Sequence, residues 1–250
     1  MKIHKAKNVN KRATVVLFVL QVIFGTLPAV LLVIFALNSG MISSQKTGDN
    51  YLWAYISAAA IILCGFAYII LSRKYNILLS GLKGEKLLYK MAKKHKNDYH
   101  IFLNLPVRYK RNRSEIDMLM ISENGILIVE VKNHSGTIIG GDKDEHWCQY
   151  KHYKDGHTTE SEMKNPMKQI SRQRDILKNI LRSNGYDVWI DGVVFFSNPF
   201  VRLKLNLSNS NSYVASGEKE LDKFISEYEC PKKTSPDDIA EIVSILKSTL

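Results

Sequence analysis

Cysteine is scarce in this chain: three in 250 residues, with no C-x-x-C pair among them. That excludes a disulfide-dense secreted scaffold and a ribbon-type zinc site. No G-x-x-x-x-G-K-[ST] segment is present, so nothing supports nucleotide hydrolysis at a P-loop, and no internal repeat appears. Two stretches, residues 14–37 and 52–71, lack Asp, Glu, Lys and Arg altogether. Because the remainder is polar and charged, the chain is neither a simple soluble globule nor a disordered polymer.

The charge-free stretches hold 24 and 20 residues. At a helical rise of about 1.5 Å per residue they reach roughly 36 and 30 Å, against a hydrocarbon core of about 30 Å. Both are long enough to be transmembrane helices, the first kinked near Pro28. The first exceeds the apolar core of a signal peptide, and Asn38-Ser-Gly-Met-Ile-Ser-Ser is a poor cleavage site, so it reads as an anchor. Lys2, Lys5, Lys7, Lys11 and Arg12 precede the first span and Arg73 and Lys74 follow the second, whereas the connection Asn38–Tyr51 carries only Lys46 and Asp49. The positive-inside bias predicts a multi-pass cell-membrane protein with both termini in the cytoplasm. Residues 1–71 contain six Lys/Arg and one Asp, which leaves 29 basic and 23 acidic residues in 72–250. This modest excess suits nucleic acid or anionic lipid as a partner.

Beyond the spans, apolar spacing predicts a helix over 76–96, strands over 101–109, 114–122 and 125–133, a helix over 166–184 and a strand over 188–197. Residues 146–164 read as a polar connection and 208–212 as a loop, with helices over 217–228 and 236–248. The expected organisation is a membrane anchor over 1–75, an α/β domain with a mixed sheet flanked by helices over 76–200, and a C-terminal helical extension over 201–250.

Strand alternation places Ile128, Glu130, Lys132 and His134 on one face. With Asn124-Gly125 as a two-residue turn, Asp117 falls opposite Lys132 and Leu119 opposite Glu130, so three charges share a patch at cross-strand spacings of about 5 to 8 Å. Glu130 and Lys132 interrupt a strand of Ile, Leu and Val. Two converging carboxylates can hold Mg²⁺ or Mn²⁺, and a nearby lysine can offset charge developing on a phosphate. A structural ion pair between Asp117 and Lys132, with Glu130 at a solvated strand end, accounts for the same pattern. Arg108, Lys110, Arg111 and Arg113 form a basic run suited to a phosphate backbone, or to a solvated loop. His146, Cys148, His152 and His157 match no defensible zinc spacing.

Asp117 followed by Glu130-Val131-Lys132 resembles the D…E-x-K pattern of the PD-(D/E)xK nuclease superfamily. Gly84-Glu85, Glu115-Ile-Asp117, Gly125–Asn133, Gly136, Trp147 and Asn165-Pro-Met-Lys-Gln169 together are similar to the nuclease-related domain, NERD, over roughly 78–198. The resemblance implies a restriction-endonuclease-like fold and divalent-metal phosphodiester hydrolysis of nucleic acid, with DNA the expected substrate. An inactive nucleic-acid-binding or scaffold domain is the alternative. It also implies Asp117, Glu130 and the Val131 carbonyl as metal ligands and Lys132 at the attacking water or scissile phosphate. Glu85 joins as the acid of the first helix, and Gln169 as the helix glutamine that meets substrate or metal-bound water. The superfamily's Q-x-x-x-Y pairing is absent, because Gln173 stands where tyrosine would.

Overall fold

Two long apolar helices separate a short first strand from the rest of the fold. The computed structural model describes residues 3–6, 9–38, 50–208 and 212–250. In chain order the elements are β1 (Ile3–Lys5), α1 (Val9–Asn38), α2 (Asn50–His95), β2 (His100–Tyr109), β3 (Asn112–Ser122), β4 (Gly125–Lys132), β5 (Gly136–Gly141), β6 (His146–His152) and β7 (Thr158–Lys164). They continue with α3 (Pro166–Ser183), β8 (Ile190–Phe196), β9 (Val201–Asn206), β10 (Ser212–Ser216), α4 (Glu218–Glu227) and α5 (Pro236–Lys247). Residues 8–82 form one unit, and residues 1–7 with 83–250 form another.

In the first unit, Lys11–Leu37 has a mean hydropathy of 2.6 and a window within Tyr55–His95 reaches 2.1, long and apolar enough to cross a membrane. Large apolar side chains such as Val16, Leu63 and Phe66 face outward, at 57%, 70% and 67% exposure. Water penalises such a surface, whereas hydrocarbon does not. The second span and the helix expected over 76–96 are one element, α2, which Gly81 and Gly84 do not break. Lys2, Lys7 and residues 39–49 of the connection lie outside the described residues.

The second unit is mixed α/β, as expected, with two sheets ordered β1-β2-β3-β4-β8-β10 and β7-β6-β5-β9. Central β4 is buried on both faces. Ile126 and Ile128 join a core with Ile170, Leu177 and Leu181 of α3, Ile242 and Leu246 of α5, and Trp147 of the smaller sheet. Leu127 and Val129 face Leu88, Met91 and Ala92 of α2 and Leu221 and Ile225 of α4. At the sheet edge, β1 pairs in parallel with β2, Ile3 opposite Ile101 and Lys5 opposite Leu103.

Three expectations are corrected. Ser122 pairs with Gly125 and Leu119 with Ile128, so Glu123 and Asn124 form the turn and the register differs by two residues. A type I′ turn needs positive φ at both central residues. Among the described residues the positive φ here belongs to Gly125 (104°), not Asn124. Gly125 is held by packing, since a Cβ there would lie 2.8 Å from the Cys230 Cβ. Second, residues 146–164 contain β6 and β7, an antiparallel pair from His146↔Lys164 to His152↔Thr158. Third, residues 201–250 are not purely helical: β9 pairs with β5 and β10 with β8, so this segment supplies a strand to each sheet. Residues 209–211 of the expected 208–212 loop lie outside the described residues.

Candidate active site

The β3–β4 ladder runs from Ser122↔Gly125 to Met118↔Val129 and then opens. At the opening, Asp117 Oδ2 accepts the Val131 N–H at 2.8 Å, a bond that a strand carbonyl would otherwise supply. The β2–β3 ladder is interrupted at the same level, between Leu103↔Met118 and Leu105↔Ile116. Asn104, in the gap, adopts a left-handed φ of 54°, and its Nδ2 donates to Glu115 Oε1 at 3.4 Å. Ile116 and Leu119 consequently reach one core while Met118 reaches the other, so the pleat changes phase at Asp117.

Across the fork, Glu130 and Lys132 project from β4 toward α3. Glu130 is 2% exposed. Lys132 Nζ donates to Glu130 Oε1 at 2.7 Å and to Gln169 Oε1 at 3.0 Å. Gln173, fully buried, donates through Nε2 to Glu130 Oε2 and to the Glu115 carbonyl, both at 2.8 Å. Since both partners of Nε2 are acceptors, the amide orientation is fixed, and Oε1 has no partner among the described residues. A buried acceptor left unpaired costs about 1–3 kcal/mol.

The start of α3 is set locally. The side-chain oxygen of Asn165 accepts the Met167 N–H at 2.9 Å, and Pro166 opens the helix, its missing N–H costing nothing there. Asn165 Nδ2 donates to the carbonyls of Gly141 (3.0 Å), Asp142 (3.2 Å) and Asp144 (2.7 Å). Asn165-Pro166 thus fixes the helix so that Gln169 and Gln173, one turn apart on one face, meet β4.

The electrostatics favour a cation. Burial, and then the Glu130 charge, holds the Asp117 carboxyl well above the usual carboxylate range, against the Val131 N–H and Lys132. Glu115 is also raised, by desolvation first and then by Glu85 and Glu130, although its Asn104 bond opposes this. Oxygen donors concentrated in one place suit a hard divalent ion. Among the described residues no three His, Cys, Asp or Glu side chains gather as a closed metal cage. Two carboxylates, with water completing the shell, match the way Mg²⁺ is ordinarily held.

Asp117, Glu130, Lys132 and Gln169 are therefore brought together. Glu85 acts electrostatically on Glu115. Gly84 permits the close approach of α2, since a Cβ there would lie 3.0 Å from Val131 Cγ2. For Val131 it is the N–H, not the carbonyl, that the geometry ties to Asp117. His134, on the same strand face by alternation, instead pairs through Nδ1 with Gln149 Oε1 at 3.2 Å. Arg108 and Arg113 are direct cross-strand partners at the end of the β2–β3 hairpin, with Lys110 and Arg111 at its tip; all four are exposed. Among the described residues none of the four pairs with a carboxylate, and Arg172 Nη2 of α3 donates to the Arg113 carbonyl at 3.1 Å. Sequence reasoning missed Glu115, Asn104 and Gln173 as parts of the site. The available signal for Gln173 was its place in the stripe Ile170, Gln173, Leu177, Ile180, an amide where the spacing calls for an apolar side chain.

Residues 80–197 match the family described as nuclease-related domain. An uncharacterized protein of Bacillus anthracis is 35% identical over 71 residues, 28% of this chain and 34% of that protein, so the chain matches about a third of this relative's length. No solved structure matches the chain.

Proposed function

We propose, from the match of residues 80–197 to the nuclease-related domain family, that the chain is a membrane-anchored, cytoplasm-facing nuclease, hydrolysing phosphodiester bonds of nucleic acid, with DNA the first candidate. The observation that carries this reading is the convergence of Asp117, Glu130 and Lys132 at the fork of β3 and β4. Asp117 and Glu130 would hold Mg²⁺ or Mn²⁺, with the Val131 carbonyl a further ligand. A divalent ion there supplies charge neutralisation at a phosphoryl oxygen and acidifies a bound water. The chain's own residues do the rest. Val131 N–H and Gln173 fix the two carboxylates in place. The Lys132 ammonium, aimed by Gln169, provides positive charge where negative charge develops on the phosphate. Glu85 and Glu115 add negative potential that draws a cation to the rim. Arg108, Lys110, Arg111 and Arg113, exposed at the end of the β2–β3 hairpin, would contact the phosphate backbone outside the fork.

Anchoring rests on the two apolar spans and their cationic flanks. The pairing of β1 with β2 supports the same topology independently: the segment preceding the first span is a strand of the domain that follows the second. An even number of crossings satisfies that pairing.

A second reading is favoured by one observation. Both Glu130 oxygens already accept donors, Lys132 and Gln173, so the cluster is compensated without an added ion, as an inactive binding or scaffold domain requires. Cleavage of DNA and RNA substrates by the full chain in micelles, with Mg²⁺ or Mn²⁺ against EDTA, separates the two. Ion-dependent cleavage supports the nuclease; nucleic-acid binding without cleavage under every ion supports the alternative.

A further inference from the structure

We infer that Gln173 is a positioning residue for the cation site: its amide N–H groups hold Glu130 across the fork, and its buried carbonyl oxygen accepts from the ion's hydration shell. The inference rests on the reading of Asp117 and Glu130 as the ion's ligands.

Three observations carry it. Gln173 joins both arms of the fork from α3, touching the Glu115 carbonyl on β3 and Glu130 Oε2 on β4, each at 2.8 Å. A carboxylate with one oxygen on Lys132 and the other on Gln173 has its plane fixed, so releasing Lys132 would leave Glu130 aimed rather than free to rotate. Finally, Gln173 Oε1 is fully buried with no donor among the described residues. A crosslink made through the amide N–H groups alone leaves that oxygen unpaired. A divalent ion that keeps part of its water shell offers the O–H donors that such an oxygen accepts. The position where the superfamily places tyrosine is thus occupied by a side chain that both donates and accepts, which a phenol hydroxyl also does.

The test uses the full chain in micelles and Mn²⁺ as the probe. Gln173→Met removes donor and acceptor at similar length. Gln173→Asn keeps the amide but withdraws it by one methylene, a milder second variant. Ile176→Ala, at a core position on the same helix, weakens packing while leaving the Gln173 amide in place. Circular dichroism gives each Tm, and calorimetry gives the Mn²⁺ Kd well below it. Both Gln173 variants are expected to raise the Kd about 10- to 100-fold, the usual effect of losing a partner that orients a metal ligand. Ile176→Ala is expected to lower Tm and leave Kd unchanged. Unchanged Kd in folded Gln173→Asn or Gln173→Met overturns the inference while leaving the metal reading intact. Equal weakening in all three reduces Gln173 to a packing role and overturns it likewise. No Mn²⁺ binding by the unmodified chain overturns the inference together with the metal reading on which it rests.

Discussion

Asp117 and Val131 are joined by a side-chain-to-backbone bond of 2.8 Å that replaces a rung of the β3–β4 ladder. The carboxylate therefore has two roles, closing the backbone where the strands part and supplying charge to the opening. The roles separate by substitution. Asp117→Asn keeps an acceptor for the Val131 N–H, so the fold is expected to be retained while divalent-ion binding weakens at least tenfold and cleavage falls with it. Asp117→Leu removes the acceptor as well and is expected to cost about 1–3 kcal/mol of stability, read by chemical denaturation.

Lys132 is assigned to the phosphate rather than to the ion. Lys132→Met is expected to lower cleavage about 10²- to 10³-fold while Mn²⁺ affinity is kept or raised, because the ammonium no longer competes for Glu130. Paired calorimetry and single-turnover cleavage check this. Loss of folding in that variant would point instead to a structural ion pair, whose buried acid is left uncompensated.

The raised Asp117 pKa sets a pH dependence in the metal-free protein. Between the ordinary carboxylate value and the raised native one, the folded chain binds more protons than the unfolded chain. Stability is therefore fully present below the ordinary value and is lost as pH rises through the native one. Denaturation in EDTA at about pH 5 and about pH 7.5 should show this decline, weakened in Asp117→Asn. Saturating Mn²⁺ should oppose it, since the ion favours the charged carboxylate.

The parallel pairing of Ile3 with Ile101 makes topology testable without charge arguments. The native cysteines Cys64, Cys148 and Cys230 are free and can first be replaced. Ile3→Cys with Ile101→Cys should then cross-link under mild oxidation in intact membranes. Absence of the bond, with the N-terminal cysteine labelled from outside, would contradict a shared cytoplasmic face.

Much of the site was legible because strand alternation survives a register error of two residues. Glu130 and Lys132 keep their face of β4 whether Glu123-Asn124 or Asn124-Gly125 forms the turn. Asp117 instead lies where the pleat of β3 changes phase and reaches the cluster through its bond to the Val131 N–H. The turn itself was misread because the freedom of Gly125 serves packing against Cys230 as well as the backbone reversal. The smaller sheet left little trace: Thr158–Lys164 buries only Met163, too sparse a pattern to signal a strand. The helix α3 announced itself through Pro166 and its apolar spacing, and the amide of Gln173 stands out in that stripe, yet its meaning depends on a carboxylate 43 positions away.

On the proposed reading, Asp117 and Glu130 together hold a divalent ion at the fork. Mn²⁺ titration of the unmodified chain, of Asp117→Asn and of Glu130→Gln, with folding verified for each, tests it most directly. Saturable binding by the unmodified chain and at least a tenfold weaker Kd in either variant are expected, since a charged oxygen ligand is removed. Saturable binding of equal affinity in all three folded proteins, or none in the unmodified chain, would contradict it.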